Sequence, residues 1–432
     1  MRNKIMKKAM AGVLVAAMMT GCLAGCSGNS ESGTGGGNSE EKVTLKVPAW
    51  DTSTIVYFNK LKEGFEKEHP DINIELIDIP SGDYTKKLSV MLNGGNELDI
   101  VWIKETDTTA SIAERGQLED LTSYIEKDNI DLSVYNGADA DFNIDGKQIA
   151  MPVSTGYQIL FYNKDIFDAA GVDYPDNDMT WTEFEDLAGK LTSGEGNDKI
   201  YGGYIHTWQS CVQNMGVQDG EHTILDTDYS FFKPYYEMVL RMQEEGTIMD
   251  YSTLKTGNIH YSGPFLQGQV AMLPMGSWFI STILSKIEAG ESDVNWGIAT
   301  LPHPDNTEAG YTAGSTTPMG ISVNSEHKDE AWEFIKYCSG EEGASVYAEC
   351  GEMPAMLNDT ILSQIASKEG MPEGTEEALQ VKKISQERPM DEKSAEVNQM
   401  LGEEHSLIMI GELSVDEGLA EMAERSKEIQ GK

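Results

Sequence analysis

Basic residues are scarce in this chain: 32 Lys and Arg stand against 72 Asp and Glu, and the formal net charge is −40. A phosphate backbone is gripped by clustered cations that displace its counterions, so this balance excludes nucleic acid as a partner. The acidity favours solubility and says little about a ligand, although a polycationic solute would suit it. Cysteine is nearly as sparse, with five in 432 residues. Cys211, Cys338 and Cys350 are the three beyond the N-terminal segment, an odd number in a large chain, so no disulfide framework is needed. Cys338 shares a helical face with Ala331, Phe334 and Ile335 and reads as core; whether it pairs with Cys350 is left open.

Other absences narrow the chemistry. The seven histidines show no His-Glu-x-x-His or other paired metal-ligand spacing. A nucleophile elbow, a phosphate loop and a dinucleotide glycine pattern are all missing. Carboxylates are so abundant that a glycosidase pair could be drawn anywhere, which makes their abundance no argument for one. Asp141, Asn143 and Asp145-Gly146 open like a calcium loop, but the twelfth position holds Pro152 where a bidentate Glu is due, so a solvated turn is expected. The sequence therefore predicts a non-enzyme with no cofactor, no metal and no catalytic residue.

What is present begins at the N-terminus. Arg2, Lys4, Lys7 and Lys8 precede an apolar run, residues 9–20, too short for a bilayer span of about 20 residues and suited to a signal-peptide core. Leu23-Ala24-Gly25-Cys26 closes it; Met19-Thr20-Gly21-Cys22 is a poorer competitor. The following residues 27–41 hold no large apolar side chain and cannot fold alone. As a flexible tether they would reach about 20 Å. Removing the four leader cations takes the charge of the mature chain from −40 to −44. At about 400 residues, that chain is too long for one core and favours two domains.

From Val43 onward strand and helix patterns alternate. Val43, Leu45 and Val47 have strand period, Ile55, Phe58, Leu61 and Phe65 helical period, and Ile72, Ile74 and Leu76 strand period again. Tyr84, Leu88, Met91 and Leu92 predict a helix stopped by Gly94-Gly95, and residues 99–102 a short buried strand. This βαβαβ order predicts an α/β fold with a largely parallel sheet. Thr180-Trp181-Thr182-Glu183 fits a capping box; residues 296–299 read as a strand and 331–338 as an amphipathic helix.

Several ordered stretches resemble the family 1 extracellular solute-binding proteins, the carbohydrate-binding class that includes maltose-binding protein. They are residues 65–70 (FEKEHP) with 72–75 (INIE), 98–102 (LDIVW), 116–122 (GQLEDLT), 145–152 (DGKQIAMP), 160–167 (LFYNKDIF), 180–184 (TWTEF), 265–272 (FLQGQVAM) and 276–278 (GSW). The N-terminal pattern resembles a lipobox, which implies cleavage before Cys26 and a lipid on its sulfur. The resemblance implies a two-lobe, type II periplasmic-binding-protein fold with a ligand cleft. One lobe would hold residues 42–154 and 301–340, the other 155–300 and 341–432. It further implies a monomer, anchored by Cys26 on the outer membrane face, that delivers a carbohydrate, expected to be an oligosaccharide, to ABC permease subunits. A peptide or polyamine on the same scaffold is the alternative, with a membrane-anchored hydrolase behind it.

A sugar offers an apolar C–H face and a hydroxyl rim, so its site wants aromatic platforms and a few fixed polar groups. Trp181, Trp296 and Trp332 fall in element interiors and read as structural. Ligands of open α/β sheets gather at the carboxyl ends of strands, which nominates Trp50 and Asp51 after the first strand and Trp102 after the third, with Lys104 and Glu105 beyond. The resemblance adds to the case for Trp102 and nominates Trp278. Tyr157, Trp208, Ser315 with Thr316, and Glu352 complete the candidates, each weighed against packing or a plain turn.

Overall fold

In the computed structural model, residues 42–432 are described apart from Thr54, Asn96, Glu97 and Asn136. The expected leader, Cys26 and the expected tether lie outside the described residues. β1 (Val43–Trp50) turns Leu45, Val47 and Ala49 to one buried face, and α1 (Val56–Glu68) covers it with Phe58, Leu61 and Phe65. β2 (Ile72–Ile79) pairs with β1 in parallel, from Val43 opposite Ile72 to Trp50 opposite Ile79. α2 (Tyr84–Asn93) then leads to β3 (Ile100–Trp102). These elements form one apolar core, joined by Met319, Ile321 and the inward face of the helix Lys328–Ser339.

Two long crossing strands run on from this core. The first crossing strand, Met151–Asn163, pairs antiparallel with the second, Tyr311–Ile321: Met151 opposes Met319, Thr155 opposes Thr316, Gly156 opposes Ser315 and Tyr157 opposes Gly314. Its far end lies between Val270–Gly276 and Trp296–Thr300, antiparallel to both. The second crossing strand takes β3 antiparallel at one end and Lys383–Gln386 in parallel at the other. A third passage lies on the outer edge, where Thr155 N–H donates to Met353 O at 3.0 Å and Ala355 N–H to Val153 O at 3.2 Å. The largely parallel sheet expected from the alternating pattern is thus corrected to a mixed one. Parallel pairing holds for β1 and β2, but a chain that crosses and returns lays its crossing strands side by side in opposite directions.

The remaining apolar side chains form two adjoining clusters around residues 157–313 and 344–422. Leu301 and Ala313 pack there, so the second crossing strand belongs to that side through its first residues. The predicted capping box is present: Glu183 N–H donates to Thr180 Oγ1 at 3.2 Å, and Thr180 N–H to Glu183 Oε2 at 2.9 Å. Such a cap is worth about 1 kcal/mol. It opens the helix Trp181–Leu191, which buries Trp181, Phe184, Ala188 and Leu191. Trp296 and Trp332 are likewise buried. Cys211, Cys338 and Cys350 are free thiols. The calcium-like stretch forms a hairpin, Asn143–Ile144 with Lys147–Gln148, turned by positive φ at Asp145 and Gly146. Among the described residues, no helix is long and apolar enough to cross a membrane.

Candidate functional site

Successive residues of an extended strand face opposite ways, and this decides what the crossing strands can present. Trp278 lies on the Gly156 face: a Cβ at position 156 would stand 3.1 Å from the indole Cε3. At Gly276 a Cβ would stand 2.0 Å from indole Cζ3. The missing side chains at 156 and 276 thus form the slot that holds the ring. Ser315, opposite Gly156, shares that face, as do Ser154 and Thr317. These positions keep partial exposure, whereas Thr155, Tyr157 and Thr316 between them are buried.

An aromatic wall rises beside this floor. Trp278 is half-buried, and its Nε1–H donates to the Tyr261 hydroxyl at 3.2 Å. Tyr261 stands edge-on to Trp208, with centroids 5.8 Å apart, and Trp208 is 40 % exposed. His206 meets Trp208 edge-on at 4.6 Å, and its Nδ1 lies 3.3 Å from the Tyr204 hydroxyl. Burial first, then the charges of His260 and Lys255, hold the His206 imidazole down at about 4, so it is neutral at pH 7.

Ser281, one turn into the helix that follows Trp278, ties the wall to an acid. Its hydroxyl lies 2.9 Å from the Trp278 carbonyl and donates to Glu352 Oε1 at 3.1 Å. Burial pushes the Glu352 carboxyl up to about 7 against the opposing effect of the Ser281 hydrogen bond. Tyr57, from α1, packs against Tyr347 with centroids 5.0 Å apart. Its phenol is raised by burial foremost and next by the Glu352 charge. Side chains from α1 and from the helix after Trp278 therefore gather around the acid. The arrangement offers flat rings, hydroxyls and one carboxyl.

Four of the sequence candidates come together here: Trp208, Trp278, Ser315 and Glu352. Trp102 is corrected. It has no exposed surface and packs against Phe58 at 4.6 Å and Trp50 at 6.1 Å, and its Nε1 has no partner among the described residues. β3 ends with this side chain turned inward, and only the next residues carry the chain outward. Trp50 is corrected likewise, being 6 % exposed between Phe58 and Tyr84, each 4.9 Å away. Asp51 adopts φ 46° and accepts Ser81 N–H at 3.0 Å, which stitches the turns after β1 and β2 together. Tyr157 points away from the Trp278 face, and its hydroxyl donates to Leu379 O at 2.9 Å.

Glu105 belongs to a separate ion cluster. Arg388 Nη1 lies 3.3 Å from Glu105 and 3.9 Å from Asp107, and Lys104 Nζ lies 3.7 Å from Glu105. Burial raises the Asp107 carboxyl, with the Arg388 charge acting the other way. Tyr261, His206, Ser281, Tyr57 and Arg388 were not singled out from sequence. The GSW stretch pointed near Ser281, but nothing in the spacing marked the others.

Residues 50–345 match the family model of the bacterial extracellular solute-binding proteins. The chain belongs to this family. A sugar transporter from Rhizobium etli, crystallised in an open conformation, is 42% identical to this solute-binding protein, with a TM-score of 0.84 over 89% of this chain and 99% of that one. The arabinooligosaccharide-binding protein of Bacillus subtilis is 25% identical over 362 residues, 78% of this chain and 77% of its own. The sn-glycerol-3-phosphate-binding periplasmic protein of Pectobacterium atrosepticum is 24% identical over 352 residues, 73% of each chain. The solute-binding protein has the α/β two-lobe, type II fold of its structural neighbours, and its family is one of binding proteins that work outside the cytoplasm.

Proposed function

We propose that this solute-binding protein captures a carbohydrate, most naturally an oligosaccharide, between its lobes and presents it to the permease subunits of an ABC importer without chemical change. The wall of Trp208, Tyr261 and Trp278 beside Ser315, Ser281 and Glu352 carries the reading. Sugar rings stack on such platforms while hydroxyls meet the polar groups. The Rhizobium and Bacillus relatives, a sugar transporter and an arabinooligosaccharide binder, support it. A ligand touching both lobes favours their closed arrangement. We further propose crossings between the lobes near residues 154–156, 315–317 and 353–355, and a monomer tethered to the outer membrane face by lipid on Cys26.

The glycerol phosphate relative prompts a second reading, an anionic solute. The charge facing the wall argues against it: Glu352 is acidic, and Arg388 is already surrounded by Glu105, Asp107 and Glu387. Calorimetry with arabinotriose, maltotriose, glycerol 3-phosphate and spermidine separates these readings. A trisaccharide should bind and, at 100-fold its Kd, stabilise the fold by about 2.7 kcal/mol. Trp278→Ala should weaken that binding by about 1–3 kcal/mol, the worth of a stacking aromatic. Binding of glycerol 3-phosphate or spermidine with no response to either sugar would refute the carbohydrate reading, and release of smaller sugars on incubation would refute the non-enzyme reading.

A further inference from the structure

We propose, on the carbohydrate reading of the cleft, that the captured sugar carries a protonated amine and that Glu352 selects it. The acid sits where three elements meet. Its Oε1 accepts the Ser281 hydroxyl at 3.1 Å, and that hydroxyl lies 2.9 Å from the Trp278 carbonyl. The Glu352 charge bears on the phenols of Tyr57 from α1, of Tyr261 beside Trp278, and of Tyr347 from the helix Glu341–Cys350. Aromatic rings thus surround the carboxyl.

Half of this acid is unspent. Glu352 Oε2 and the Tyr57 hydroxyl have no hydrogen-bond partner among the described residues. Neither atom is sealed from solvent, and both residues keep partial exposure, so a ligand can reach them.

The protein supplies no counter-charge. Burial and the Ser281 hydrogen bond are the influences on the carboxyl, with no Lys, Arg or His among them, and burial prevails. The two lysines that act on nearby Cys350 are turned to Glu349 instead. Lys60 Nζ lies 3.7 Å from its carboxylate, and Lys368 Nζ donates to its carbonyl at 2.5 Å. A buried carboxylate without a cation is destabilising, and a ligand that brings one relieves it. A sugar hydroxyl would bond Oε2 but leave the charge uncompensated. An ammonium group supplies donors and the missing charge together. The surrounding rings add an attraction for a cation that they do not offer a hydroxyl. At −40 overall, the chain also raises the local concentration of a cationic solute.

Two trisaccharides matched except for the amine decide this, each titrated by calorimetry into the purified protein. They are chitotriose with its amines free and cellotriose, which carries a hydroxyl in place of each amine. Wild type should bind chitotriose about tenfold or more tighter than cellotriose, as one charged hydrogen bond would give. Glu352→Gln keeps the Oε1 acceptor for Ser281 and cannot ionise, so it should bring that ratio to within about twofold. A merely structural role for Glu352 would weaken both sugars alike and leave the ratio as it was, which would overturn its assignment as the selecting residue. Wild type that binds cellotriose as well as chitotriose, or that gives no saturable heat with chitotriose, would overturn the amine. Binding of maltotriose or arabinotriose would still uphold the carbohydrate reading, so the two failures are distinguishable.

Discussion

Glu352→Gln offers a test of the site that needs no ligand. The carboxyl is displaced from an ordinary value of 4.5 to about 7, chiefly by burial. At about 1.4 kcal/mol per unit, the displacement is worth at most about 3.5 kcal/mol of folding free energy. A carboxyl whose folded value is raised adds stability below about pH 4.5, where both states are protonated. It loses that contribution as the pH climbs through about 7, because the folded state must then hold a buried carboxylate. Glutamine keeps the Oε1 acceptor for the Ser281 hydroxyl and cannot ionise. The variant should therefore match wild type near pH 4.5 and exceed it increasingly up to about pH 8, by as much as about 3.5 kcal/mol.

Two buried histidines act in the opposite sense over an overlapping range. His206 is held at about 4 and His405 at about 3, both principally by burial. Their stabilisation is present above the ordinary 6.5 and is lost as the pH falls toward those values. The wild-type stability profile mixes all three, so the informative quantity is the difference between variant and wild type, from urea melts at matched pH. A difference that stays constant across pH, or a variant less stable at pH 8, would refute the placement of an uncompensated acid beneath the aromatic wall.

Trp102 and Trp208 divide by cost. Trp102→Ala should destabilise the fold by about 3–5 kcal/mol in denaturant melts, as emptying a packed core does, whereas Trp208→Ala should cost under about 1 kcal/mol yet weaken oligosaccharide binding in calorimetry. Gly276→Ala places a methyl where the indole of Trp278 now lies, 2.0 Å from its Cζ3. It should cost about 1–3 kcal/mol of stability, change the near-ultraviolet circular dichroism of the displaced ring and reduce cleft affinity. An unaltered spectrum would show that the slot is wider than its geometry states.

Periodicity carried the first lobe well. The run from Val43 to Trp102 follows its predicted order because each element has a clear apolar period and a stop signal, such as Gly94-Gly95 after α2. Thr180 and Glu183 marked their helix start, since capping depends only on residues three apart. Strand-end position proved a poorer guide to the site. It predicts which end of a sheet a residue occupies, but a single residue of phase decides whether the side chain enters the core or the cleft. Trp102 and Tyr157 turn into packed surroundings, while Trp278 lies on the Gly156 face and stays half-exposed. Tyr261 and Ser281 carried no signal, because an aromatic beside a histidine and a serine within a helix are ordinary in any globular chain.

That same phase constrains how the molecule can vary. The two crossing strands turn Gly156 and Ser315 toward Trp278 and bury Thr155, Tyr157 and Thr316 on the other face, using alternate residues of one ladder. The register shift between Thr317 and Pro318 absorbs a one-residue mismatch before the strand joins β3. A further shift of one residue would bring Thr155 and Tyr157 beneath Trp278 and close its slot. Ligand preference can therefore change freely through Trp208 and the groups around Glu352, which lie off this ladder. The floor, by contrast, is held by both faces at once.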